Sequence, residues 1–135
     1  MEQFPINWLA LLACVIFKQA LGAAWYSPAL FGARWSALTG VSPQEMQSGI
    51  VRALVPDVIG SALMAFVLLH AVHYAGANTL VLGAAVGFLN WLGFVATTSL
   101  GAVTFEKRPF ALWAVNNSYL VIALVVMGAI LAIWP

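Results

Sequence analysis

The residues able to do chemistry in this sequence stand inside stretches that are otherwise apolar. Lys18, Asp57, Thr97, Asn116 and Asn117 each interrupt a long hydrophobic run. Isolated ionisable groups in such runs are costly, so they face the interior of a helix bundle and pair. The natural pair is an ammonium with a carboxylate, Lys18 with Asp57. Such a pair can hold two helices together, or carry a proton if the carboxylate alternates between charged and neutral forms. The competing reading has Lys18 extending its stem to the headgroups and Asp57 wetted at the boundary.

Other candidates carry less. His70 and His73 lie three apart, on one face of a helix. No Cys, Asp or Glu nearby would complete a metal site, so they read as structural histidines at a membrane boundary. Cys14 is the single cysteine and has apolar flanks; it reads as a core or lipid-facing thiol. No nucleophile–base–acid set, phosphate loop or metal signature is present, so neither an enzyme nor a cofactor is expected.

The elements that must position these groups follow from composition. Of 135 residues, 64% are hydrophobic and 7% charged, with mean hydropathy +1.00. A soluble domain carries about 25% charged residues, so this surface belongs in lipid. The net charge of +1 gives no reason to expect a nucleic-acid partner. The expected partner is the lipid bilayer, with a homo-oligomer or a larger membrane complex as open alternatives. Glu2 makes the start acidic and Lys18 breaks the first apolar run, so a signal peptide is not expected.

Four runs reach the roughly 20 apolar residues that a spanning helix needs: 5–24, 53–74, 79–103 and 110–134. The expected fold is all-α, a single bundle of four transmembrane helices. Pro5 suits a first helical turn, and Ser27-Pro28 ends the first helix. Residues 27–52 form the one long loop. Leu30, Phe31 and Trp35 mixed with Arg34 predict a short helix on the membrane surface, broken by Gly40. Ser42-Pro43-Gln44-Glu45 reads as a capping box whose helix continues into the second span, where Pro56 marks a kink. Trp8 at one end of the first span, and Trp25 with Tyr26 at the other, fit the aromatic belts of a bilayer.

Depth follows from the rise of about 1.5 Å per residue. Lys18, Thr97 and Asn116 each lie six residues from a span end on the side of the first and third loops, and Asp57 four. That puts them about 9 Å and about 6 Å deep, so all four helices contribute to one polar layer. Gly83, Gly87, Gly93 and Gly101 on the third span predict close helix packing, with self-association as the sharper alternative. Asn90, deeper in that span, predicts an interhelical hydrogen bond. Arg34, Arg52, Lys107 and Arg108 fall in the first and third loops. The positive-inside rule therefore predicts cytoplasmic loops there and periplasmic termini; the expected membrane is a bacterial inner membrane.

Certain stretches also carry a resemblance. They are Asn7-Trp8, Gly22, Trp25-Tyr26-Ser27-Pro28, Leu30-Phe31-Gly32 with Trp35, Trp91 to Val95, Phe105 to Pro109, and Asn116 to Tyr119. Together they resemble the family called domain of unknown function 1761. The resemblance implies a small multi-span membrane protein and brings no activity, substrate or catalytic residue. Two functions remain open from the sequence. One is a small transport or permeation protein with the polar layer as a cytoplasm-facing site. The other is a non-catalytic subunit or scaffold that docks other helices. A third, weaker idea places a lipid or quinone beside Asn90 and Trp91.

Overall fold

The computed structural model describes residues 3–135; the acidic position at Glu2 lies outside them. The fold is an all-α bundle in which four helices are long and apolar enough to cross a membrane: α1 Trp8–Trp25, α4 Ile50–Tyr74, α5 Leu80–Thr104 and α6 Phe110–Ile133. The connection between α1 and α4 carries α2 (Gly32–Thr39) and α3 (Pro43–Ser48).

Each start has a local cause. Asn7 caps α1 by accepting from the Ala10 N–H at 3.1 Å, so the helix begins after Pro5 and not on it. The Asn7 amide also donates to the carbonyls of Trp134 and Pro135, tying the start of α1 to the end of α6. Ser42 caps α3 through the Glu45 N–H at 3.1 Å, as the capping box predicts. The expected run from α3 into α4 is interrupted: Gly49 ends α3 before α4 begins. Within α4 the helix is continuous through Pro56. Gly40 takes φ +77° at the end of α2, the left-handed cap that glycine adopts at least cost.

The core is built on α6. Its neighbours are α1, α4 and α5, and Met127 and Leu131 are almost wholly enclosed. Against α5 the approach is closest at Gly83 and Gly87. A Cβ on either would collide with the α6 backbone at Gly128 or Leu124, so glycine is required by contact distance, as small residues at membrane interfaces permit. Gly93 and Gly101 do not share this role. Nothing lies within 4 Å of a Cβ built on Gly93, and Gly101 meets only the Phe105 ring just past the end of its own helix. The outward surface is largely apolar, with Trp8, Phe94, Val81 and Phe105 all exposed, as contact with acyl chains demands.

α5 is not a regular α-helix. Residues Trp91–Ala96 form a π-helical turn, followed by short helical pieces to Thr104. Hydroxyls of the next three residues cap carbonyls of that turn: Thr97 to Gly93 at 2.7 Å, Thr98 to Phe94, and Ser99 to Val95 at 2.6 Å. The wide turn adds a residue to the helical register, and this sets which of the three hydroxyl residues faces α6.

Candidate functional site

Lys18 lies seven residues before the end of α1, Asp57 seven after the start of α4, and Asn117 seven after the start of α6. Each is therefore about 10 Å from the helix end on the side of the 27–49 and 105–109 connections. These residues lie at one depth and form two clusters with a bridge.

The first cluster joins α1 to α4. The Lys18 ammonium stands 3.4 Å from Asp57 Oδ1 and 3.5 Å from Oδ2. Lys18 is 3% exposed, whereas the Asp57 side chain is half exposed. Lys18 is thus paired and enclosed, and does not reach out to the headgroups. The Gln19 amide donates to Asp57 Oδ2 at 2.8 Å and to Ser61 Oγ at 3.0 Å. Ser61, fully buried, donates to the Asp57 carbonyl one turn back. On the other side Tyr119 of α6 presents its ring to the Lys18 ammonium, 5.5 Å from the centroid, and its hydroxyl donates to the Lys18 carbonyl. One cation is thus held by a carboxylate and an aromatic face, an arrangement that strengthens out of water.

The second cluster joins α5 to α6. Asn117, 3% exposed, accepts from the Trp91 indole N–H at 3.1 Å and donates to Ser99 Oγ at 3.3 Å. The Trp113 indole donates to the same Ser99 oxygen at 3.0 Å. Every polar atom of this cluster is engaged, as a buried network requires.

Asn116 is the bridge. Tyr26 donates to its Oδ1 at 2.7 Å, and the Tyr26 ring meets Tyr119 edge-on at 5.5 Å. Burial, with smaller contributions from Tyr119 and Asp57, pushes the Tyr26 phenol well above its ordinary value, so Tyr26 remains a donor. Beside it the Trp25 indole donates to the Val115 carbonyl. The aromatic pair expected at the membrane boundary is therefore turned inward, where it latches the end of α1 onto α6. The chain then folds back tightly, because Gly32 sits where a Cβ would strike the Tyr26 and Ser27 carbonyls.

Two of the sequence expectations are corrected. Thr97 has the right depth, seven residues from Thr104, but it faces outward and bonds only its own helix. Ser99, which the sequence reading did not select, takes its place because the π-turn shifts the register. Asn90 makes no interhelical bond among the described residues; its amide donates to the Val86 carbonyl one turn back. His73 stacks on Phe4 with ring centroids 3.7 Å apart, and His70 bonds the Phe66 carbonyl. Among the described residues no group of three or more His, Cys, Asp or Glu side chains is arranged to hold a metal ion. Cys14 is buried beside the Met127 carbonyl, a core thiol as expected.

A half-enclosed cleft of about 350 Å³ opens between α5, α6 and the turn that joins them. Glu106 and Arg108, 4.0 Å apart, stand at its mouth. Ser99, Asn116 and Asn117 supply its polar lining, and Val103, Leu112 and Leu120 part of its apolar wall. No residue of α4 lines it; residues 51–59 of α4 are exposed throughout. The cleft thus leads from charged groups at the mouth to the polar layer, and Asn116 connects it to the cluster around Lys18.

Neither the curated proteins nor the solved structures contain a match to this chain. A family model does match, over residues 9–132, nearly the whole length, and it spans both clusters and the cleft. The chain therefore belongs to the family described as "Protein of unknown function (DUF1761)".

Proposed function

We propose that this protein is a small transport or permeation protein whose polar site is entered from the side of the 27–49 and 105–109 connections. The observation that carries this reading is the cleft, which reaches the polar layer and meets it at Asn116. A purely structural bundle has no use for an opening that ends on side-chain amides. Arg34, Arg52, Lys107 and Arg108 all belong to this side. The side is then cytoplasmic and the termini periplasmic; the membrane we propose is a bacterial inner membrane.

The half-exposed Asp57 carboxylate is the group that takes up a proton. Neutralising it releases the Lys18 ammonium from its partner and loosens α1 from α4. The opposite half of the bundle is closed, because Gly83 and Gly87 seat directly on the α6 backbone. Passage across the membrane therefore requires α5 and α6 to part there.

Reconstitution into liposomes with an entrapped pH dye and an imposed potential tests this reading. Proton entry should exceed that of empty liposomes and fall at least tenfold in Asp57→Asn. Equal entry with and without the protein would contradict it.

The second reading is a membrane subunit or scaffold, favoured by one observation: Gly93 and Thr97 face outward on α5 with open space around Gly93. That surface would seat another helix, from a second copy or from a different membrane protein. Cross-linking through Gly93→Cys in native membranes would detect the neighbour.

A further inference from the structure

The hydrogen-bonding inventory of the cleft specifies what it can hold. The Asn117 amide, the Ser99 hydroxyl and the Trp113 indole satisfy one another and their own helices. Asn116 differs. Its Oδ1 accepts from Tyr26, while its Nδ2 donates to no group among the described residues. No buried side-chain nitrogen or oxygen among the described residues lacks a partner, so this amide is accessible, and it belongs to the cleft lining. The inner part of the cleft therefore offers a free donor, while each of its side-chain acceptors already takes a hydrogen bond, about 9 Å from the start of α6, between apolar walls.

We infer that the cleft binds an uncharged, apolar-bodied ligand that presents a carbonyl oxygen to the Asn116 amide. A ligand hydroxyl or amine buried there would lose its water and find the acceptors already engaged by Tyr26, Trp91 and Trp113, so it gains less. A carbonyl loses little and satisfies the amide. The volume of about 350 Å³ suits a body of one or two fused rings, or the glycerol-ester region of a lipid. These two sources share the same chemistry, a carbonyl at the inner end of an apolar body. The inference deepens the proposed transport reading and rests on one part of it, namely that the cleft is open; it does not depend on flux.

The test uses the full chain in nanodiscs, with Val103→Cys as a reporter on the cleft wall and a membrane-impermeant maleimide as its reagent. The probes are 2-acetylnaphthalene and 2-isopropylnaphthalene, matched in shape, only the first having a carbonyl. In dialkyl-ether phosphatidylcholine, the acetyl probe should protect Val103→Cys about fivefold better than the isopropyl probe. Asn116→Leu should abolish the difference. Asn116→Asp keeps the acceptor for Tyr26 and removes the donor, and should abolish it too; it serves if the leucine variant fails to fold. A lipid source predicts slower labelling in diacyl than in dialkyl-ether phosphatidylcholine without any probe, a difference that Asn116→Leu should erase. Equal protection by the two probes, with equal labelling in the two lipids, would overturn the inference. Failure of Val103→Cys to label at all would instead overturn the open cleft, and with it the transport reading.

Discussion

At the scale of single residues, the bundle is organised by the unequal burial of one ion pair. Lys18 is enclosed and Asp57 is half exposed. Removing either partner leaves the other charged, but the consequences differ. Asp57→Asn strands an ammonium that has the Tyr119 ring as its other close neighbour, whereas Lys18→Met strands a carboxylate that can reach water and the Gln19 amide. Breaking a buried pair costs about 3–5 kcal/mol. Asp57→Asn should approach that range in reversible unfolding from detergent micelles, with Lys18→Met costing less. The double variant Lys18→Met/Asp57→Asn should recover much of the loss, since no charge is then stranded. Equal losses in the singles, adding in the double, would mean that the two side chains do not interact. Tyr119→Phe, which keeps the ring and loses the bond to the Lys18 carbonyl, should cost about 1 kcal/mol in the same assay. The pair itself was legible in the sequence, because apolar runs this long leave an ammonium and a carboxylate few other partners. The inward turn of Trp25 and Tyr26 was not, since belt aromatics and bundle aromatics look alike until the neighbouring helix is known.

At the scale of elements, depth could be counted and azimuth could not. The rise per residue is nearly the same in every helix, so Lys18, Asp57, Thr97 and Asn117 fall at one level however the helices turn. The direction in which each points depends on an unbroken period of 3.6 residues, and α5 breaks that period at Trp91–Ala96. Thr97 consequently points outward while Ser99, two residues later, serves the cluster. The prediction is a contrast: Ser99→Ala should destabilise the protein by about 1–2 kcal/mol, through unpaired Trp113 and Asn117 groups, while Thr97→Val should be close to neutral. Thermal unfolding in one detergent checks both. The glycines divide in the same way. Gly87→Ala should be severely destabilising or should separate α5 from α6, because its Cβ would enter the Leu124 carbonyl; Gly93→Ala should cost nothing measurable. Comparable losses at both would contradict the close approach at Gly87. Spacing alone ranked these glycines equally, since it carries no information about which face meets α6.

At the scale of the whole molecule, the two halves of the bundle differ. Near the termini and the 75–79 hairpin the helices close around Met127 and Leu131, with glycine-mediated contact between α5 and α6. Toward the longer connections, α4 exposes residues 51–59 and the cleft opens beside α6. The number of spans was legible from length and hydropathy, whereas the cleft was not, because it depends on how α5, α6 and their turn pack against one another. The Asn7 bonds to Trp134 and Pro135 put both ends of the described chain on the closed side. A periplasmic-active phosphatase fused after Pro135 should therefore be active, and the same reporter inserted after Thr39 should not; the reverse pattern would invert the proposed orientation. The most direct test of an open half against a closed half is hydroxyl-radical footprinting of the unmodified protein in nanodiscs. Leu120 lines the cleft about 15 Å along α6, and Met127, intrinsically the more reactive residue, is sealed two turns further on. The expected result is oxidation at Trp113 and Leu120 with Met127 protected; Leu120 protected to the same degree as Met127 would contradict it.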